Sequence, residues 1–457
     1  MYMSIILAAG EGTRMKSSLS KVLHKICGKE MVKYVIDAAK KAGIAKNIIV
    51  LGHSKEQAIS ALSNDADVNF VEQPIGSEYP YGTGYAVMCA KEFINDEDTV
   101  VLLCGDGPLI KDSTLRDFLK YHEDGNYSAS VLTCIVDNPH GLGRIIRNSE
   151  NTVNKIVEQK DANADELQIK EINTGIFCFN GKFLKEALSK LDTKNSQNEY
   201  YITDTIKIMV ESKYKVGAFV LEDEQEMKAV NDRVQLSEVT QIMRRRINEM
   251  HMKNGVTMID PDSTYIDCDV EIGKDTILYP GTILENKTCI GENCIIGPNT
   301  RIINSTVKNN VKIESSNIID SFVDDYTSVG PFAYLRPGTK LGKNVKIGDF
   351  VEVKNSTIDD GSKASHLSYI GDGEIGKDVN IGCAAIFVNY DGKKKHKTIV
   401  KDGAFIGSNS NLIAPVTVEE DAYVACGSTI TDDVEKEALA IARARQVNKP
   451  GRGKGRF

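Results

Sequence analysis

Through much of the second half of the chain an aliphatic residue returns at every sixth position. From Ile266 it recurs at Ile272, Leu278, Leu284, Ile290, Ile296 and Ile302. The beat resumes at Val329, Leu335, Leu341, Ile347 and Val353, and again at Val400, Ile406, Leu412, Val418, Val424 and Ile430. Four places after each aliphatic residue of the first run stands a small or β-branched one: Val270, Thr276, Thr282, Thr288, Cys294, Thr300 and Thr306. Helices and twisted sheets lack such a period, whereas the flat-faced coils of a parallel β-helix have it. The aliphatic side chain points into the prism, the small one fits a corner, and each coil buries its core against its neighbours. Glycine often follows the aliphatic residue (Gly273, Gly291, Gly297, Gly342, Gly348, Gly407), as expected of a turn needing unusual backbone angles. The rhythm breaks at 308–328 and between Ile386 and Lys397, where Asn389-Tyr390-Asp391-Gly392 and Lys393–Lys395 suggest a protruding loop.

The first half alternates short aliphatic strands with amphipathic helices, the mark of an α/β sheet covered on both faces. Expected strands are Ser4–Ala8, Asn47–Leu51, Thr99–Leu103, Ser128–Ile135 and Gly175–Phe179; Met31, Val35, Ala38 and Ala42 mark a helix. Leu236, Val239, Met243, Ile247 and Met250 then predict one long helix joining the halves, beside Arg244–Arg246, which reads as a solvated face or a phosphate site. The expected division is 1–230, a linker helix 231–252, a β-helix 253–437 and a tail 438–457.

A length of 457 residues fits two domains, and 41% apolar with 26% charged residues is globular composition. A net charge of -8 argues against nucleic acid as a partner, despite the basic tail from Lys449 to Arg456. No apolar run has membrane-spanning length, and because Met1 leads straight into an expected buried strand, no signal peptide is expected. Ten cysteines without a C-x-x-C pair read as reduced thiols of a cytoplasmic protein, with no structural zinc expected.

Candidate chemistry begins where strand one runs into Leu7-Ala8-Ala9-Gly10-Glu11-Gly12-Thr13-Arg14-Met15, with Lys21 beyond. A glycine-rich turn after a strand lets backbone N–H groups approach phosphates. Met15 stands where a dinucleotide fingerprint needs its third glycine, and no G-K-[ST] follows, so neither common phosphate motif applies. Strand Thr99–Cys104 ends in Gly105-Asp106-Gly107-Pro108, placing a carboxylate where α/β folds put ligand groups, to hold Mg²⁺ or simply to make a turn. In the β-helix, Arg336 and Lys354 lie eighteen apart, one coil of three hexads, so both can aim at one anion. His366 interrupts a hexad nearby.

The turn resembles the L-A-A-G-x-G-T-R signature of sugar nucleotidyltransferases. Over nearly its whole length the chain resembles the bacterial bifunctional N-acetylglucosamine-1-phosphate uridylyltransferase/glucosamine-1-phosphate acetyltransferases. The resemblance implies a Rossmann-like α/β nucleotidyltransferase domain, a long linker helix and a left-handed parallel β-helix. It implies that Leu7, Ala8, Ala9, Gly10, Arg14 and Lys21 hold the nucleotide phosphates of UTP, with Gly105 beside them. Gln73, Gly82 and Thr83 would read uracil; Gly143, Glu158 and Asn173 would hold the sugar; Asp106 and Asn231 would bind Mg²⁺. Asn231 has a second reading as the N-cap of the long helix. In the β-helix, His366 would be the general base for acetyl transfer from acetyl-CoA, a role worth about 10²–10⁴-fold. Arg336 and Lys354 would bind the sugar phosphate, with Tyr369, Asn380 and Lys395 around the sugar. Cys383, Asn389, Tyr390, Ser408, Cys426 and Arg443 match coenzyme positions. Homotrimers with coenzyme sites between subunits are also implied.

The sequence departs from the family pattern at several points. The family's Q-L-G-T-G-H-A becomes Gln73, a longer Pro74–Tyr81, then Gly82-Thr83-Gly84-Tyr85-Ala86; Y-G-D-V-P becomes Cys104-Gly105-Asp106-Gly107-Pro108; Ser20 replaces a proline. Cys383–Val388 departs from G-T-I-T, and Cys426 replaces a small residue. The expected function is UDP-N-acetylglucosamine synthesis in two steps. A nucleotidyltransferase for another sugar phosphate or nucleotide, with a β-helix for assembly, is the competing reading, and a non-catalytic sensor the third.

Overall fold

The computed structural model describes residues 1–63, 67–76 and 78–453. The chain forms two compact units, Met1–Met243 and Arg244–Phe457, divided within the helix Arg233–Lys253.

The first unit is built on a nine-stranded sheet. Its strands are β1 (Tyr2–Ala8), β2 (Lys46–Leu51), β3 (Val68–Glu72), β4 (Thr99–Cys104), β5 (Ala129–Ile135), β6 (Arg144–Arg147), β7 (Val153–Val157), β8 (Glu171–Asn180) and β9 (Val216–Leu221). The order is β9-β5-β8-β4-β1-β2-β3, with β6 and β7 attached beside β8. Strands such as β1 and β4 are apolar at consecutive positions because both faces are covered. Helix Met31–Lys41 and helix Asp112–Asp124 pack on one core; Thr83–Cys89, Gly181–Leu188 and Asp204–Glu211 pack on the other. The sheet is mixed. β8 runs antiparallel between β4 and β5, and its register slips between Asn173 and Phe177. That bulge bends the strand just where the sugar-site candidates lie.

The second unit is a left-handed β-helix of three parallel sheets with eleven, ten and nine short strands. The aliphatic positions of the hexads are its core: Leu278, Leu284, Ile296, Ile302, Leu335 and Ile406 are completely buried. Corner threonines survive burial because their hydroxyls donate to backbone carbonyls, Thr282 to Tyr279 and Thr288 to Glu285, each at 2.7 Å. The prism does not stop at 308–328. Pairs Ile283↔Arg301, Cys289↔Thr306 and Arg301↔Asn317 give coils of eighteen, seventeen and sixteen residues, and Val307, Ile313, Ile318 and Val323 keep the core filled. Shortening a corner by one residue breaks the sequence beat while preserving every inward position. Ser305, rather than the expected Thr306, takes the buried corner there.

The glycine expectation needs correction. Of the six glycines after aliphatic positions only Gly297 has a left-handed φ, +102°. At the others a Cβ would strike the next coil, lying 1.9 Å from the Ser365 carbonyl oxygen at Gly348 and 2.6 Å from Gly291 at Gly273. Close approach of coils selects glycine; left-handed angles fall mainly on Asn and Asp, such as Asn286, Asn293, Asn344 and Asp378. Strand pairing also extends to Leu439–Ala440, against Tyr423–Val424, past the point where the tail was expected to begin. Lys454 and Arg456 of that tail lie outside the described residues.

Candidate active sites

In the first unit a cleft of about 290 Å³ opens at the carboxyl ends of β1 and β4. It is lined by Leu7, Ala8, Ala9, Gly10, Lys21, Gln73, Gly82, Thr83 and Asp106 of the expected residues. Gly105 sits behind them, its N–H donating to the Leu7 carbonyl at 2.9 Å. Gly12, at φ +67°, makes the turn that lets Lys21 fold underneath: a Cβ there would lie 2.9 Å from Lys21 Cβ. Arg14 is exposed on the turn Thr13–Met15 and does not line the cleft.

Lys21 Nζ donates to Asp106 Oδ2 at 2.5 Å and to Asn231 Oδ1 at 3.3 Å. Two oxygens from distant segments thus converge on one cation. Asn231 does not cap the long helix. Asp232 does, accepting from the Gln235 N–H at 2.9 Å, while Gln235 accepts from the Asn231 N–H at 2.8 Å. The cap one residue later leaves the Asn231 amide free to face Lys21.

The sugar-side candidates form a second cluster. The Asn173 N–H donates to the Gly143 carbonyl at 2.9 Å, and a Cβ on Gly143 would lie 3.3 Å from the Glu158 carboxylate. Thr203 Oγ1 donates to Glu158 at 3.2 Å, and burial raises the Glu158 carboxyl above its ordinary range against that hydrogen bond. The segment Tyr200–Thr203 ties the clusters together, because the Ile202 N–H donates to Thr83 Oγ1 at 3.2 Å. Gly82 is obligatory at φ +115°, since a Cβ would lie 2.4 Å from the Tyr200 carbonyl oxygen. Of the longer segment after Gln73, Tyr81 lines the cleft and its carbonyl accepts from the Tyr200 N–H at 2.9 Å; Ser77 lies outside the described residues. Cys104, where the family has tyrosine, donates through sulfur to the Gly175 carbonyl, and burial pushes its thiol up to about 12.

In the β-helix, Arg336, Lys354 and Tyr369 occupy successive coils of one face, in the strands Tyr334–Leu335, Glu352–Lys354 and Tyr369–Gly371 and the turn after the first. Arg336 pairs with Glu352 at 2.7 Å. Lys395, hydrogen-bonded beside Lys354, lowers the latter from the ordinary lysine value, helped by desolvation and the Arg336 charge and opposed by Asp372. Three crowded cations are a ready anion site. Asn389 reaches Asp372 at 2.5 Å and Tyr369 at 3.5 Å. The expected loop does protrude: Ile375↔Val400 makes this coil twenty-five residues long, and Asp391 caps the tip by accepting from the Lys393 and Lys394 N–H groups and His396 Nε2, each at 2.7 Å.

His366 ends the strand Lys363–His366 at a corner of the prism, Asn380 begins the next strand on that face, and the coenzyme candidates continue along the corner. A Cβ on Gly382 would lie 2.6 Å from the Ser408 nitrogen, and one on Gly407 2.6 Å from the Cys426 nitrogen. Cys383, Ser408 and Cys426 therefore succeed His366 coil by coil, with Arg443 against Gly427 beyond.

A nucleotidyl transferase family model matches residues 3–233, and a bacterial transferase hexapeptide model of six repeats matches 269–304. Over 450 residues the chain is 58% identical to the bifunctional protein GlmU of Clostridioides difficile, covering 98% of this chain and 97% of that one. GlmU of Alkaliphilus metalliredigens is 54% identical and that of Acetivibrio thermocellus 53%, each over 98% of this chain and over 97% and 96% of theirs.

The chain belongs to the bifunctional GlmU family. It is an enzyme with uridylyltransferase and acetyltransferase activities, in the synthesis of UDP-N-acetylglucosamine. Among the described residues no helix is long and apolar enough to cross a membrane. Several neighbours of the candidate residues escaped the sequence reading: Thr203 on Glu158, Glu199 in the cleft, Asp372 under Asn389, Glu352 on Arg336 and Asp349 on His366. Only Asp349, one coil below His366, left a usable trace, and only to a reader counting seventeen rather than eighteen.

Proposed function

We propose that the cleft of the first unit transfers uridylyl groups from UTP to N-acetylglucosamine 1-phosphate, with the residues in the roles the family pattern implies. Backbone N–H groups of Leu7–Gly10 and the Lys21 ammonium hold phosphates, Gln73, Gly82 and Thr83 face the base, and Gly143, Glu158 and Asn173 face the sugar. The sugar phosphate oxygen attacks the α-phosphorus, and the bond to pyrophosphate breaks. This needs positioning and charge more than covalent help. The observation carrying this reading is that five separate segments drawn from the first hundred or so residues, Leu7–Gly10, Lys21, Gln73, Gly82–Thr83 and Asp106, line one cleft.

The pair Asp106 and Asn231 suits Mg²⁺. Both oxygens already converge on a cation, and one carboxylate with one amide leaves sites for water and phosphate oxygens, as Mg²⁺ prefers. When bound there, the metal would neutralise charge on the leaving pyrophosphate.

On the β-helix, His366 takes a proton from the glucosamine 1-phosphate amine as nitrogen bonds to the acetyl carbonyl carbon, the C–S bond breaks and coenzyme A leaves as its thiol. Arg336, Lys354 and Lys395 hold the sugar phosphate, Tyr369, Asn380 and Asn389 surround the sugar, and acetyl-CoA runs along the corner past Cys383, Ser408, Cys426 and Arg443, with Tyr390 on the loop. Purified protein with glucosamine 1-phosphate and acetyl-CoA should release free thiol, and adding UTP should release pyrophosphate. Thiol release without any pyrophosphate would refute the uridylyl assignment, and pyrophosphate from added N-acetylglucosamine 1-phosphate without thiol release would refute the acetyl one.

A homotrimer is part of this reading. Phe332, Phe350 and Leu367 occupy one corner with φ of 58°, 57° and 42° and remain 59%, 58% and 56% exposed. Bulky side chains at left-handed angles are costly, and an exposed apolar ridge beside His366 fits a second copy of the chain. Sedimentation should give a trimer, and Phe350→Lys should dissociate it.

A further inference from the structure

We propose that Asp349 is a positioning residue of acetyl transfer, holding His366 in the tautomer whose Nε2 is free to accept the substrate's proton. His366 Nδ1 lies 2.7 Å from Asp349 Oδ1. The two residues are direct partners in the parallel ladder, Asp349↔His366, because the intervening coil has seventeen residues; a coil of eighteen would put Gly348 below the imidazole. The backbone is held as well. The Leu367 N–H donates to the Asp349 carbonyl at 2.9 Å, and Ser368 Oγ donates to the His366 carbonyl at 2.9 Å. The imidazole therefore starts from a fixed Cα and meets the carboxylate in a fixed direction.

The chemistry follows from donor and acceptor counting. An ionised carboxylate only accepts, so this contact requires hydrogen on Nδ1 and leaves the lone pair on Nε2. The hydrogen bond from His366 holds the Asp349 carboxyl below the usual aspartate range, so it is ionised at neutral pH. Neutral imidazole left alone favours hydrogen on Nε2, which would turn the lone pair toward the protein. The side chains are 61% and 41% exposed, and a pair so open to solvent adds little to stability. Its consequence is orientation, the same use of a carboxylate that serves acid–base histidines elsewhere.

The inference rests on His366 being the general base, and the test separates the two. In the full-length protein carrying ¹⁵N-histidine, the His366 signals are those lost in His366→Gln. They should show the Nδ1–H tautomer in the native protein and move to Nε2–H in Asp349→Ala. Acetyl transfer by Asp349→Ala should fall about tenfold or more in kcat, with KM for both substrates within about twofold. Asp349→Asn, whose amide oxygen can still accept from Nδ1–H, should recover much of the loss. Uridylyl transfer in the same samples reports folding. An Nε2–H signal in the native protein, or native kcat in Asp349→Ala while His366→Gln is inactive, overturns the positioning role. Native acetyl transfer in His366→Gln overturns the general-base reading itself, and the role of Asp349 with it.

Discussion

Lys21 Nζ sits 2.5 Å from Asp106 Oδ2, with the two side chains only 14% and 19% exposed, so in the free protein an ammonium occupies the ground proposed for Mg²⁺. A divalent ion arriving alone must displace that charge. A nucleotide triphosphate offers Lys21 another anionic partner and releases Asp106. Nucleotide and metal should consequently favour each other's binding. Lys21→Ala is expected to bind Mn²⁺ without nucleotide about tenfold more tightly than the native protein, even as its UTP affinity falls. Electron paramagnetic resonance of free Mn²⁺ measures this, and equal affinities would remove the competition.

The two chemistries should separate by mutation. Asp106→Ala is expected to abolish pyrophosphate release and leave thiol release within about twofold; His366→Ala should do the reverse, slowing acetyl transfer by about 10²-fold or more. Parallel assays on one preparation check both.

Glu158 is expected to cost the first unit stability. Its folded-state pKa is raised by burial, so the folded protein keeps this proton to higher pH than the unfolded chain. The stabilising contribution is present in acid and is lost as pH rises through the folded value, beyond which the half-buried carboxylate is charged. Glu158→Gln, which can still accept from Thr203, should raise the melting temperature of the first unit at pH 7.5, with the gain shrinking as pH falls toward the glutamate range. Uridylyl transfer should weaken through a higher KM for the sugar phosphate. Melting curves across pH report the first effect and steady-state kinetics the second.

Arg144 should act on the loop proposed to face the sugar. Only 2% exposed, it donates to the Leu142 carbonyl and, at 2.9 Å, to Gln159 Oε1, which also accepts from the Gly141 N–H at 3.0 Å. The guanidinium thus staples both sides of Gly141–Leu142 beside Glu158. Arg144→Met is expected to raise KM for N-acetylglucosamine 1-phosphate about tenfold while KM for UTP moves less than about twofold. An equal rise in both would indicate general disruption.

The hexad and the glycine turn made both units legible in the sequence, because packing of identical coils and close approach to phosphate each demand a residue type at a fixed spacing. Where the demand was looser, the reading failed in instructive ways. Glycine at Gly348 and Gly273 answers to the coil above rather than to its own φ, and a single sequence does not distinguish the two causes. Asn231 and Asp232 are chemically alike as caps, so only the observed hydrogen bonds tell which caps. Asp349 and Thr203 act through partners seventeen and forty-five residues away, the first hidden by a corner one residue short and the second by a separation no periodicity governs.

The corner that carries His366, Cys383, Ser408 and Cys426 also works as a graduated scale. Neighbouring coils are about 4.8 Å apart, so the proton acceptor and coenzyme contacts proposed along it would be separated in whole steps of that size. An extra coil between His366 and Ser408 would leave the core satisfied yet stretch the groove by a full step, beyond what a bound thioester can follow. Extra residues can be accommodated only sideways, as Asn389–Lys397 are, leaving the rungs above and below in register. Length change in such a prism is therefore quantised: insertions that lengthen the ruler are forbidden, and those that leave it untouched are free to become binding loops.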